Sequence, residues 1–121
     1  MGNPVVHFEV IGKDAKTLRK FYQDMFAWNI DAPIQGAGVP DYTVVHPNET
    51  GISGGIGTAP EGYDGHVTFY VGVPDVGAAL QKISSLGGKT MMGPDEVPGG
   101  PISGLFEDPE GHVVGLVQTP E

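Results

Sequence analysis

Pro4-Val5-Val6-His7-Phe8-Glu9-Val10-Ile11 opens the chain, and His66-Val67-Thr68-Phe69-Tyr70-Val71-Gly72-Val73 repeats its character in the second half. Both stretches alternate as strands. Val6, Phe8 and Val10 share one face of the first, opposite Val5, His7, Glu9 and Ile11, while Val67, Phe69, Val71 and Val73 share one face of the second. An aspartate follows each strand, Asp14 and then Asp75, placed to cap a helix. Beyond Asp14, apolar residues recur at helical spacing as Leu18, Phe21, Tyr22, Met25 and Phe26. Beyond Asp75 they recur as Val76, Ala79, Leu80, Ile83 and Leu86. The spacing predicts two helices, each with one buried face, and Gly87-Gly88 supplies the stop of the second.

Working outward, short strands are expected near 28–33, 41–47 and 51–58 in the first half. Strands near 89–93, 102–107 and 112–118 are expected in the second. The halves come into register from both ends. Phe8, Val10 and Asp14 pair with Phe69, Val71 and Asp75 at an offset of 61, and Gly55-Ile56-Gly57-Thr58-Ala59-Pro60-Glu61 pairs with Gly115-Leu116-Val117-Gln118-Thr119-Pro120-Glu121 at an offset of 60. A unit of about 60 residues buries little by itself, so two such units are expected to share a sheet. The predicted fold is α+β: a single domain over 1–121, built from two tandem βαβββ modules at about 4–61 and 62–121. These would form one curved mixed sheet with helices on its convex side and a central cleft on the other.

Composition narrows the function classes. The formal net charge is -9, which a nucleic acid backbone or an anionic bilayer would repel, so neither is an expected partner. The cations cluster as Lys13, Lys16, Arg19 and Lys20, a pattern read as a solvated helix face. The absence of cysteine excludes disulfides, thiolate catalysis and zinc-thiolate sites. No charged-then-apolar leader opens the chain, no apolar run reaches membrane-spanning length, and Val6 stands where a myristoylation signal needs Ser or Thr. Asn48-Glu49-Thr50 matches a glycosylation sequon that is expected to be accidental, and the cytoplasm is the expected location. No dinucleotide fingerprint, phosphate loop or nucleophile elbow is found. Gly51-Ile52-Ser53-Gly54-Gly55-Ile56-Gly57 reads as a strand and not as a phosphate cradle.

Several stretches together resemble the vicinal oxygen chelate superfamily of glyoxalases, bleomycin resistance proteins and extradiol dioxygenases. They are His7-Phe8-Glu9-Val10, Asp14 with Phe21-Tyr22 and Phe26-Ala27-Trp28, Gly54-Gly55-Ile56, Asp75-Val76 through Leu86-Gly87-Gly88, and Asp108-Pro109-Glu110-Gly111-His112. The resemblance covers essentially the whole chain, and the Asp-Pro-x-Gly turn is its most specific part. It implies the two-module fold and a homodimer. For activity it implies less, because this fold carries many chemistries.

The superfamily's metalloenzymes take one ligand from the first strand of each module and acidic ligands from the last strands, leaving open positions for substrate oxygens. By that resemblance the first-strand position, seven residues before the capping Asp, is His7 in one module and Thr68 in the other, with His66 two residues back on the same face. The acidic position, four residues past the Gly of the Asp-Pro-x-Gly turn, is Gly115, and the repeat makes Gly55 its partner. One imidazole is too few donors to hold a divalent ion, so no catalytic metal and no cofactor are expected. A set of His7, Glu9 and His66 is the alternative, although His7 and Glu9 stand about 6–7 Å apart along a strand.

The expected cleft-facing residues are then His7, Glu9, His66, Thr68, Tyr70, Tyr42, Val44 and His46, with Met91, Met92 and Phe106 near the rim and Gly55, Gly57 and Gly115 in the floor. Glycine there either admits a flat ring close to the backbone or only accommodates sheet curvature. His7 beside Glu9 suits general acid–base work or a hydrogen-bonded pair in a wet cleft. Thr68, Tyr70, His66, Gly55, Gly115 and Tyr42 are the expected ligand-binding residues. Trp28 is expected in the core or at a dimer contact. The leading expectation is a protein that binds a small organic molecule without a complete metal site. The alternative is a metal-dependent glyoxalase-type lyase or isomerase, or a dioxygenase, with an atypical His/Glu site.

Overall fold

A computed structural model of the chain describes residues 2–34, 39–47, 51–96 and 100–119. The Asn48–Thr50 sequon and the last two residues of the internal repeat lie outside them. The elements run β1 (Val5–Gly12), α1 (Ala15–Phe26), β2 (Asn29–Ile30), β3 (Thr43–His46), β4 (Ser53–Thr58), β5 (His66–Val73), α2 (Val76–Ser85), β6 (Lys89–Glu96), β7 (Ile102–Glu107) and β8 (Val113–Gln118). The order β-α-β-β-β therefore occurs twice, in an α+β fold.

Two compact units are present, His7–Val67 and Met1–Val6 with Thr68–Glu121. In the first the strand order is β2-β3-β4-β1, with β1 and β4 parallel and the other pairs antiparallel. In the second the order is β5-β8-β7-β6, with β5 and β8 parallel. Glu9 faces Gly55 across the parallel pair of the first unit, and Tyr70 faces Gly115 across that of the second. Those positions match by the repeat offsets, so the internal repeat is a repeat of register as well as of element order.

Each helix starts on its aspartate. The Asp14 carboxylate accepts from Thr17 N at 3.3 Å and the Asp75 carboxylate from Ala78 N at 3.1 Å, both from extended backbone. A second orphan amide is satisfied in the same way in both units. Ala15 N donates to Thr58 Oγ1 and Val76 N to Gln118 Oε1, each at 3.1 Å. Thr58 and Gln118 are repeat partners at the ends of β4 and β8, so the last strand of each unit helps to hold the start of its helix. Asp75→Ala is expected to cost about 1 kcal/mol, read as a shift of the urea midpoint with an unchanged m-value.

The first core is Val10, Ala15, Val45 and Ile56, with Phe8, Leu18, Tyr22, Trp28 and Ile30 packed against it. The second is Val73, Val76, Leu80 and Leu116, with Val71, Ala79, Ile83, Ile102 and Phe106 around it. Ile56 is fully buried, which is worth about 2–3 kcal/mol relative to exposure. Trp28 belongs to the first core, stacked on Tyr22 at 5.2 Å between centroids and 5.1 Å from Phe8. Phe106 packs into the second core rather than lying near a rim.

The apolar stripe of α1 is only partly used. Leu18 and Tyr22 pack inward, but Phe21, Met25 and Phe26 are 60%, 66% and 50% exposed, so the expected single buried face is narrower than the pattern implied. The helix ends on Ala27 in the left-handed conformation (φ 56), its N–H bonded to Gln23 O, with no glycine to mark the stop. The cations form only part of the solvated face expected of them: exposed Lys13, before the helix, bonds Asp64 and exposed Lys20 bonds Asp24, whereas Arg19 is only 17% exposed and reaches Asp41. No helix among the described residues is long and apolar enough to cross a membrane.

The Asp-Pro-x-Gly turn has a physical reason for its composition. Asp108 Oδ1 accepts from Glu110 N and His112 N at 2.9 and 3.0 Å, and Gly111 supplies φ 89. The backbone N–H of His112, first among these contacts, holds the Asp108 carboxyl below the usual carboxylate range.

Candidate functional site

Alternation along β1 sends Phe8 and Val10 into the α1 core and leaves His7, Glu9 and Ile11 on the opposite face of the half-sheet. On that face six polar side chains of the first unit are joined by hydrogen bonds. Ser53 Oγ lies 3.0 Å from His7 Nδ1, and His7 Nε2 lies 3.3 Å from the Tyr42 hydroxyl. That hydroxyl donates to Glu9 Oε2 at 3.0 Å, and Glu9 Oε1 is 2.7 Å from His66 Nε2. The Tyr63 hydroxyl meets His66 Nδ1. Glu9 is the buried centre of the set, only 6% exposed. A carboxylate so placed must be fully hydrogen-bonded or it would be strongly destabilising, and here both of its oxygens are engaged.

Elements of different kinds place these groups. His7 and Glu9 come from β1 and Ser53 from β4, where Ser53 faces His7 across the parallel pair. His66 opens β5, and Tyr63 lies in the turn before it, where its N–H donates to Pro60 O at 3.0 Å. Tyr42 precedes β3 and follows Asp41, a non-glycine residue at φ 58. Arg19 of α1 holds that turn by donating to Asp41 O at 3.1 Å and Asp41 Oδ2 at 3.4 Å.

The paired glycines of β4 explain how two rings reach the strand. A Cβ on Gly54 would lie 2.1 Å from the Phe8 ring on the core side. A Cβ on Gly55 would lie 1.8 Å from the Tyr42 hydroxyl oxygen on the polar side, and one on Gly57 would lie 2.9 Å from the same tyrosine ring. The second unit has a counterpart, since a Cβ on Gly115 would lie 2.5 Å from the Tyr70 ring. At both glycines the space of the missing side chain holds a tyrosine of the protein.

His7, Glu9, Tyr42, Gly55 and His66 are thus gathered in one unit, together with Ser53 and Tyr63. In the other unit Tyr70 lies on Gly115, and the Thr68 hydroxyl donates to Val113 O at 2.6 Å. His46 bonds Asp31 on the outer strand pair, outside this hydrogen-bonded set. Ser53 had a readable signal, standing two residues before Gly55 on the same face of its strand. Tyr63 had none. Among the described residues no three His, Asp or Glu side chains are grouped as a metal site.

Burial pushes the His7 pKa down, with Glu9 opposing the shift, so the imidazole is neutral at neutral pH. The sign for stability follows. Below the ordinary value of 6.5 the unfolded chain takes up the proton more readily than the folded one, so this residue lowers stability as pH falls through 6.5 toward its folded pKa. His7→Gln is expected to flatten that part of the profile, measured as the difference in urea midpoint between pH 7.5 and about 5.5.

The family profile of the Glyoxalase/Bleomycin resistance protein/Dioxygenase superfamily matches residues 5–116. CFP32 of Mycobacterium bovis, which carries a glyoxylase name, is 30% identical over 110 residues, covering 88% of this chain and 42% of its own length. The chain thus spans less than half of that relative. A glyoxylase-like domain-containing protein of Didymella fabae is 26% identical and is covered over 91% of its length. Among solved structures, methylmalonyl-CoA epimerase from Mycobacterium tuberculosis superposes with a TM-score of 0.70 at 11% identity, covering 97% of this chain and 87% of the other. A superfamily member from Vibrio splendidus superposes with a TM-score of 0.64 at 14% identity, covering 98% and 100%. Identities this low speak to the fold alone.

Proposed function

Because the chain belongs to the glyoxalase/bleomycin resistance protein/dioxygenase superfamily, we propose that it binds a small organic molecule on the polar face around His7 and Glu9, without a divalent ion. The observation that carries this reading is the Tyr42 hydroxyl on Gly55. At the position that the resemblance and the internal repeat assign to an acidic ligand of the superfamily's metalloenzymes, this chain has no side chain and a phenol fills the space. In the second unit Thr68 spends its hydroxyl on Val113 O and Gly115 lies under Tyr70. His7, Glu9 and His66 are spent on hydrogen bonds with Ser53, Tyr42 and each other, which disfavours a divalent ion that needs three or more donors free to converge. The same residues fit an organic ligand that exchanges hydrogen bonds with a neutral imidazole and a phenol.

In a catalytic form of this reading, a lyase or isomerase, His7 is the base and Glu9 anchors the groups that orient it. A homodimer and a cytoplasmic location belong to the same reading. The exposed Phe21, Met25 and Phe26 of α1 supply apolar surface for pairing, and sedimentation should distinguish the 12.7 kDa chain from twice that mass.

The test has two arms on purified protein. Small aromatic and dicarbonyl compounds are screened by thermal shift, and at least one is expected to raise the melting temperature of the native protein and not of His7→Ala. Ni, Co, Zn and Mn are tested in the same way with metal analysis. A stoichiometric ion that is lost on His7→Ala would replace this reading with a metal-dependent one built on His7, Glu9 and His66.

A further inference from the structure

The hydrogen bonds described among these side chains fit one another when the Glu9 carboxylate is the acceptor at their centre. Tyr42 has a single hydroxyl hydrogen and gives it to Glu9 Oε2 at 3.0 Å. Its contact with His7 Nε2 at 3.3 Å therefore needs the proton on the imidazole, with the phenol oxygen accepting. A neutral His7 then carries its lone pair on Nδ1, and the Ser53 hydroxyl at 3.0 Å donates to it. From the other side His66 Nε2 donates to Glu9 Oε1 at 2.7 Å. Donors thus point toward Glu9 from both directions.

Tyr42 and an acidic side chain at 55 exclude each other, since a Cβ there would overlap the phenol oxygen and the ring carbon that bears it, at 1.8 and 2.2 Å. The tyrosine is also pinned from behind. Arg19 grips the backbone and side chain of Asp41, which holds the left-handed turn leading into Tyr42.

We propose that Tyr42 takes the place of an acidic ligand and acts as a positioning residue, fixing His7 as its Nε2–H tautomer and presenting Nδ1 as the proton acceptor. The ligand class that follows is a neutral molecule with an O–H or N–H donor, which displaces the Ser53 hydroxyl from Nδ1. An oxyanion is disfavoured: the set holds the Glu9 carboxylate, and among the described residues its hydrogen-bonded members include no Lys or Arg. This deepens the small-molecule reading above and rests on it for the ligand, but the tautomer itself can be read with no ligand added.

The experiment is nitrogen NMR of the full chain with labelled histidine at neutral pH. His7 is expected to show a protonated Nε2 and an unprotonated Nδ1. Tyr42→Phe keeps a ring over Gly55 and removes only the oxygen, and it is expected to shift His7 toward the Nδ1–H tautomer while the backbone amide spectrum is otherwise retained. If Tyr42 served packing alone, the tautomer would not change. Phenol is expected to move the His7 Nδ1 resonance, and benzoate, matched in ring size but anionic, is not. A native His7 protonated on Nδ1, or a tautomer unaltered in Tyr42→Phe, overturns the proposal and leaves small-molecule binding standing. A response to benzoate but not to phenol overturns the ligand class, with the tautomer assignment intact.

Discussion

Glu9→Ala is expected to lower the free energy of unfolding by about 2–5 kcal/mol, because it strands two hydrogen-bond donors at once. Glu9 is 6% exposed and takes hydrogen bonds on both oxygens. Its loss would leave the Tyr42 hydroxyl and His66 Nε2 facing a cavity without acceptors, and each buried polar group so stranded costs about 1–3 kcal/mol. Native domains are stable by only about 5–15 kcal/mol, so this one substitution would take a large share. Glu9→Gln keeps the volume and one acceptor oxygen and should lose about 1–3 kcal/mol. Urea unfolding at pH 7.5 measures both. A loss below about 1 kcal/mol for Glu9→Ala would mean that water already reaches the carboxylate, and Glu9 would not be the buried centre of the set.

The second large effect lies at a residue with no side chain. Gly55→Ala adds one methyl group 1.8 Å from the Tyr42 hydroxyl, so the phenol must leave. Overpacking costs about 1–3 kcal/mol, and the bonds from Tyr42 to Glu9 and His7 are lost with it. A double-mutant cycle isolates the contact. In a Tyr42→Ala background the added methyl group meets no ring and should cost far less, giving a coupling energy of about 1–3 kcal/mol. Additive effects would show that the ring does not lie on Gly55. The substituted position is ordinary strand backbone, so conformational strain does not confuse the reading.

These two residues also show where legibility in the sequence ended. His7, Glu9 and His66 could be assigned to one face because strand alternation has a fixed period of two. Glycines at 55 and 57 marked a missing side chain on a strand face, since glycine is a poor strand former that needs a local reason. The identity of whatever fills that space is a long-range fact, and it turned out to be Tyr42, from a turn held by Arg19. The same limit explains Phe21, Met25 and Phe26. Helical spacing reports which side of α1 is apolar, but not how much of that side is covered.

The sequence by itself determined the doubled β-α-β-β-β order, the two aspartate caps and the faces of the strands, because each depends on neighbours a few residues apart or on the repetition of a local pattern. Only the tertiary structure decided that Glu9 would be a buried acceptor between Tyr42 and His66, and that a phenol would stand at residue 55. Those outcomes depend on close approach between segments as much as 57 residues apart, a distance over which local propensity carries no information about which atoms will touch.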